Sequence, residues 1–148
     1  MNPLPRRSLL AIAAVVDIAL HARPSPVAAR ALADRHNLPP RHLETMLQAL
    51  VRQGILKGTR GPRGGYELAR ERRRVTVGDV LRAIGAGGGE GGAHEARSDL
   101  LDGVIMPVLS AATEAFLAEL DRVTVEDLCR RAAPGDQAGT GQFHDIGL

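Results

Sequence analysis

Residues Arg41 to Ala69 read RHLETMLQALVRQGILKGTRGPRGGYELA, and this stretch decides the fold. Its first half places Leu43, Met46, Leu47, Leu50 and Val51 at spacings of 3, 1, 3 and 1, which is one apolar stripe on a helix. Pro39 and Pro40 suit a helix start, where a missing N–H is harmless, and Gly54 suits its end. The opposite face carries Arg41, His42, Glu44, Thr45, Gln48 and Arg52, long polar side chains able to reach outward. In the second half the period changes. Ile55 to Arg60 and Tyr66 to Arg70 are short strand candidates joined by Gly61-Pro62-Arg63-Gly64-Gly65, so a hairpin with a basic tip follows the helix.

Working upstream, the run from Val27 predicts a helix of about ten residues that ends near His36-Asn37, with Leu38 as a buried plug behind it. Two short helices, a tight turn and a Gly-tipped hairpin make a winged helix-turn-helix. The second helix of such a unit fits the major groove of DNA and the wing reaches a neighbouring minor groove. Further upstream, Leu9, Ile12, Ala13, Val16 and Leu20 recur at helical spacing and Leu10, Val15 and Ile18 widen the stripe, so this helix is expected to be buried on two sides. Arg6-Arg7-Ser8 before the apolar run Leu9 to Val16 has the outline of a twin-arginine export signal. Asp17 inside that run, and the helical Ile18-Ala19-Leu20 after it, argue for a fold helix instead. The run also falls short of the roughly 20 residues that span a bilayer, so no membrane partner is expected.

Downstream, Thr76-Val77-Gly78-Asp79 is a variant of the capping box, with Val75 and Val80 in staple positions, and predicts a helix over 77–84 ended by Gly85. Residues 85–97 hold six glycines around Glu90, His94 and Glu95 and predict a loop, one that would bind a metal only by folding around it. From Ser98, Leu101, Ile105, Val108, Leu109, Ala112, Phe116 and Leu120 form a long, one-sided stripe, with Pro107 expected to kink or restart the helix. So small a domain cannot cover that stripe, which predicts a homodimer arm. Thr124 opens a last short helix with Val123 and Leu128 as its staple, and residues 134–148 are expected to be a disordered tail. The expected organisation is mostly α with a small β-hairpin wing. It divides into a DNA-binding domain over 1–84, a loop over 85–97 and a dimerisation region over 98–133.

Composition supports this outline. A chain of 148 residues excludes a multidomain enzyme, and two Phe, one Tyr and no Trp leave a core of Leu, Val, Ile and Ala, which suits packed helices. Residues 1–74 hold 14 Lys+Arg against 5 Asp+Glu, whereas residues 75–148 hold 5 against 12, so one half should face a polyanion. Eighteen of the 19 cations are Arg, planar forks that suit phosphates and guanine edges, and double-stranded DNA is the expected partner. Cys129 is the only cysteine, which excludes an intrachain disulfide and fits a reduced cytoplasmic setting. No nucleophile elbow, phosphate-cradling loop or paired-carboxylate cleft is present, so no enzymatic activity is expected.

The stretches Asp17-Ile18-Ala19-Leu20, Gly54-Ile55-Leu56, Arg60 to Ala69 and Val75 to Val80 together resemble the Rrf2 family of bacterial winged-helix repressors, over residues 7 to about 133. The resemblance implies that Arg60 enters the minor groove from the wing and that Arg41, Glu44 and Thr45 read bases. It also implies repression, and a two-fold homodimer, which sets its recognition helices in successive major grooves, is expected to bind a near-palindromic operator. Family members that sense with an iron-sulfur cluster carry three cysteines in and after the loop that is Gly-rich here, and this chain has none there. Leu9 and Leu10 stand where the family often has a basic-aromatic pair, which shifts the expected backbone contacts to Arg6 and Arg7.

The expected DNA-binding set is therefore Arg6, Arg7, Arg41, His42, Glu44, Thr45, Gln48, Arg60 and Arg63, with no cofactor. Control would come from an unidentified small-molecule effector, from Cys129 as a redox thiol, or from abundance. Blander readings stand beside these. Arg41, Gln48 and Arg52 suit a solvated helix face, Arg60 and Arg63 would keep a hairpin soluble, and Cys129 would serve as a small apolar residue. A protein-interaction adaptor built on the same winged fold is the alternative function.

Overall fold

The computed structural model describes residues 2–87 and 98–132. Helix α1 (Arg6–His21) buries Ala11, Ala14, Val15 and Ile18, while Leu9 and Leu20 remain exposed. Helix α2 spans Ala29–His36 and ends on Asn37, whose φ of 56° is the left-handed cap expected of it. Val27 stays outside that helix. It exchanges two backbone hydrogen bonds with Tyr66, at 2.9 and 2.8 Å, and adds a third extended segment beside the hairpin.

Helix α3 (Pro40–Arg52) has Pro40 in its first turn and buries Leu43, Met46, Leu47, Ala49 and Leu50. Gly54, at φ 75°, donates to Val51 O while the N–H of Ile55 donates to Leu50 O, both at 3.0 Å. That is a Schellman ending, and the positive φ explains the glycine. Strands β1 (Leu56–Thr59) and β2 (Gly65–Leu68) are antiparallel, with Lys57 opposite Glu67 and Gly58 opposite Tyr66. At the tip Gly61 takes φ 114°.

After a short 3-10 turn at Arg72–Arg74, helix α4 runs Val77–Gly87. It passes through Gly85, because one interior glycine costs a helix only about 1 kcal/mol and the buried Val80, Leu81, Ala83 and Ile84 hold the helix in place. The expected loop over 85–97 therefore loses its first three residues to α4, and 88–97 lie outside the described residues, as does the expected tail over 134–148.

Pro107 does not break the next helix. A π turn at Leu101–Ile105 leads straight into α5 (Met106–Leu120), the Met106 N–H donating to Leu101 O. The wider turn makes room for the proline ring. It also adds a residue to the turn and rotates the side chains that follow. The exposed apolar set includes Leu100, Val104 and Met106 besides Ile105, Val108 and Leu109, so the surface is broader than the one-sided stripe expected. No residue of α5 is buried; Phe116, Leu117 and Leu120 are half-buried at its last turns.

Helix α6 (Val125–Ala132) brings the chain back. Thr76 with Asp79 and Thr124 with Asp127 form reciprocal capping boxes at 3.0–3.1 Å, and the two helix starts pair with each other through backbone hydrogen bonds of 2.9 and 2.8 Å. Arg82 grips Asp121 with both guanidinium arms, at 2.5 and 2.9 Å, which anchors the end of α5 to α4. A Cβ at Gly78 would collide with the Asp121 carboxylate, so the small residue in Val77-Gly78-Asp79 makes that grip feasible.

Candidate nucleic-acid interface

The face of α3 opposite its buried stripe carries Arg41, His42, Glu44, Thr45, Gln48 and Arg52, and all six are exposed. The Thr45 hydroxyl donates to Arg41 O at 3.2 Å, one turn back along the helix. Gln48 and Arg52 on α3, Gly58 and Thr59 on β1, and Arg60 and Tyr66 on the hairpin line one groove of about 560 Å³. The structure thus joins two of the residues expected from sequence, Gln48 and Arg60, with two outside that set, Arg52 and Tyr66. Half-burial pushes the Tyr66 phenol above its usual pKa, and the negative charge of Glu44 adds to the effect. Glu44 is therefore close enough for its charge to reach the groove.

Two glycines fix the hairpin against this surface. A Cβ on Gly64 would strike the Thr59 carbonyl, and one on Gly65 would strike the Val27 backbone. Arg63 is exposed on the tip. Arg6 is exposed and Arg7 half-buried in the first turn of α1, away from the α3 groove lining.

A buried network joins α1 to α2 through Asp17, which in the sequence served as an argument against an export signal and as part of the family-like stretch Asp17-Ile18-Ala19-Leu20. Asp17 on α1 is buried, and its carboxylate accepts both arms of Arg35 at 2.9 and 2.6 Å, His36 Nε2 at 2.9 Å and His21 Nδ1 at 3.1 Å. Burial pushes its pKa up, but the hydrogen bonds from Arg35 and His36 and the nearby charges outweigh that and hold it below the usual carboxylate range. One side chain thereby ties α1 to the end of α2, where the helix-turn-helix makes its turn.

Elsewhere in the basic half Arg35, Lys57, Arg72 and Arg73 are held in ion pairs, but the cations of α3 and the wing tip are not. Arg41 and Arg52 on α3 and Arg60 and Arg63 on the wing have no ion-pair partner among the described residues. Arg82, Arg122 and Arg130 in the acidic half are paired with Asp121, Glu119 and Glu126.

The Rrf2 family profile, described as an iron-dependent transcriptional regulator, matches residues 4–131. The chain belongs to the Rrf2 family. Its sequence is 37% identical over 81 residues to a Synechocystis protein named for an HTH-type transcriptional regulator, slr0846, covering 55% of each chain. It is 26% identical over 152 residues to the HTH-type transcriptional regulator IscR of Escherichia coli O1:K1 / APEC, covering 96% of this chain and 89% of that one. The solved structure of T. potens IscR superposes with a TM-score of 0.69 at 28% identity, over 97% of this chain and 95% of that one. The chain spans about half the length of the first curated relatives it matches. The mostly helical fold with a two-stranded wing is that of these winged-helix regulators.

Within this Rrf2 chain the donor set does not fit an iron-sulfur cluster. Clusters are held by several thiolates, and Cys129 is the only cysteine in the sequence. Among the described residues no group of three or more His, Cys, Asp or Glu side chains converges; the Glu90, His94, Glu95 set lies outside them. Cys129 itself is in the core, 3% exposed, and burial pushes its thiol pKa up despite the nearby Arg72. A thiol switch needs the reverse, exposure and a lowered pKa, so this placement favours the reading of Cys129 as a small buried side chain.

Proposed function

We propose that this Rrf2 protein is a DNA-binding transcriptional regulator that works as a homodimer in the cytoplasm, acts chiefly as a repressor and needs no iron-sulfur cluster. The observation that carries the reading is the unpaired set Arg41, Arg52, Arg60 and Arg63 around one exposed helix and wing, a concentration of charge that a phosphate backbone neutralises. The recognition helix reads bases through Arg41, a fork suited to guanine, with Glu44, Thr45 and Gln48 beside it, while His42, Arg6 and Arg7 add contacts to the backbone. A mobility-shift salt titration tests this directly. Regulator function requires log affinity to fall linearly with log salt, whereas affinity indifferent to salt, or none, belongs to the adaptor reading.

The two wing arginines should separate in the same assay. Arg60→Ala is expected to lose roughly 1–3 kcal/mol and to relax preference at an A·T-rich step, because a narrow minor groove concentrates negative potential on an inserted guanidinium. Arg63→Ala is expected to weaken all sequences alike and to lower the salt slope by about one. Unchanged affinity in both variants removes the wing from the interface.

Glu44 has a different task. A carboxylate facing DNA accepts from cytosine N4 but repels the backbone wherever no partner is offered, so Glu44→Ala should widen the range of bound sites at little loss to the best one. A randomised-site selection that narrows instead contradicts the role.

A second copy of the chain is the expected cover for α5 and its preceding turn, where Leu100, Val104, Val108 and Leu109 are more than half exposed. The segment Leu101–Leu120 is 20 residues long and apolar enough to cross a bilayer. Asp102, Glu114 and Glu119 along it favour a partner helix with water at its rim over lipid. Sedimentation at micromolar concentration should give a dimer, and a monomer there defeats this part of the proposal.

A further inference from the structure

We propose that a cleft behind the wing binds a small organic oxyanion, a molecule with carboxylate or phosphate groups on a short apolar frame, and that this ligand is the effector that controls operator affinity. The cleft measures about 670 Å³, the size of a metabolite site, and lies where the end of α1, the back of the hairpin, the 3-10 turn and α6 meet. Ala19, Leu20 and Leu68 contribute its apolar surface.

Its charges do not balance. Six cationic side chains line it, from Arg23 and Lys57 to Arg130, against three carboxylates. Every carboxylate is already engaged. Glu67 lies 3.4 Å from Lys57, Glu71 lies 2.5 Å from Arg73, and Glu126 is shared between Arg72 at 2.5 Å and Arg130 at 3.4 Å. Arg23 and Arg70 are left with no ion-pair partner among the described residues, on the wall of a concave site whose shape focuses the surplus positive field. Guanidinium forks facing a cleft are suited to bidentate oxyanion groups.

Position argues for a small molecule over DNA. Lys57, Glu67 and Leu68 of the hairpin line this cleft with the end of α1 and with α6, whereas Gly58, Thr59, Gly65 and Tyr66 line the groove with Gln48 and Arg52 of α3, and the two linings share no residue. An occupant would therefore lie toward the base of the hairpin, outside the groove that the wing forms with α3. It would touch both the wing and α6, and so bias the angle at which the wing is held. The effector role rests on the regulator reading above; the binding site does not.

The test uses the full chain with citrate as a tricarboxylate probe and glucose 6-phosphate as a phosphate-ester probe, each compared with sodium chloride at matched ionic strength. At ten times its Kd, the matching probe should raise Tm by about 4 °C beyond the chloride control. The Arg23→Ala/Arg70→Ala double variant should keep its unliganded Tm, since both side chains are exposed, and lose the increment; Arg23→Lys/Arg70→Lys should retain part of it. The same probe should change operator affinity of the wild type several-fold and of the double variant not at all. No increment from either probe, or an equal increment in wild type and double variant, overturns the site. A double variant that loses DNA affinity and salt slope, with neither probe binding, makes the cleft a contact for the DNA backbone and likewise overturns it. Increment and loss as expected in a protein that binds no DNA would keep the oxyanion site and discard the regulator reading and the effector role with it.

Discussion

Asp17→Ala should lower the stability of this protein by about 3 kcal/mol, a fall in Tm on the order of 10 °C. The carboxylate is 8% exposed and is the common acceptor of Arg35, His36 and His21. Removing it deletes several charge-assisted hydrogen bonds at once. The loss stays at the lower end of the range for broken buried pairs because Arg35, at 40% exposure, can turn to water. The acid limb of the stability curve carries the signature. The folded-state pKa of Asp17 lies below its unfolded value, so its contribution is complete above the unfolded pKa of about 4 and is lost as pH falls through the folded one. Asp17→Asn should therefore be less stable than wild type at neutral pH, and the two should converge in acid. Parallel curves over pH 2–7 would show that the network contributes through packing alone. Because α1 and α2 are tied together here, operator affinity should fall in both variants even where they remain folded.

Gly65→Ala should be nearly as damaging to stability and more selective in its effect on binding. The added methyl meets the Val27 backbone, which cannot swing aside as a flexible side chain would, so the hairpin must shift away from the segment before α2. Two backbone hydrogen bonds between Val27 and Tyr66 go with it. A cost of about 2–3 kcal/mol is expected from overpacking and the lost pairing together. Since α3 is held by its own buried stripe, the reader helix should remain in place while the wing moves. DNA binding should then fall by tenfold or more, with the loss concentrated at the positions that Arg60 controls. Denaturant unfolding combined with a randomised-site selection checks this. A variant with wild-type stability and an unaltered site preference would show that the hairpin is not held by this close approach.

Both predictions depend on residues that the sequence made visible for other reasons. Gly64-Gly65 reads as a turn signal in the sequence, and only the fold separates Gly64, needed for the turn, from Gly65, needed for a contact nearly 40 residues away in the chain. Asp17 stood out as a charge inside an apolar run. Its partners at positions 35 and 36 lie on another helix, beyond the reach of any periodic pattern.

What the sequence determined by itself was the local architecture and the exposed face of the reader. The 3, 1, 3, 1 spacing of Leu43 to Val51 places Arg41, His42, Glu44, Thr45 and Gln48 outward by helical geometry alone, and the positive-φ positions at Asn37 and Gly54 mark the helix ends. The capping box of Thr76 and Asp79 was legible for the same reason, since its partners sit three residues apart, and the Thr124–Asp127 box has the same spacing. Tertiary structure decided the rest. It brought Tyr66 and Arg52 into the groove, withdrew Cys129 into the core, carried α4 through Gly85 and gathered Arg23 and Arg70 behind the wing. The division has one physical cause. Helix period, caps and turns are short-range properties of the backbone, whereas burial, pKa and the convergence of side chains depend on which distant elements pack together.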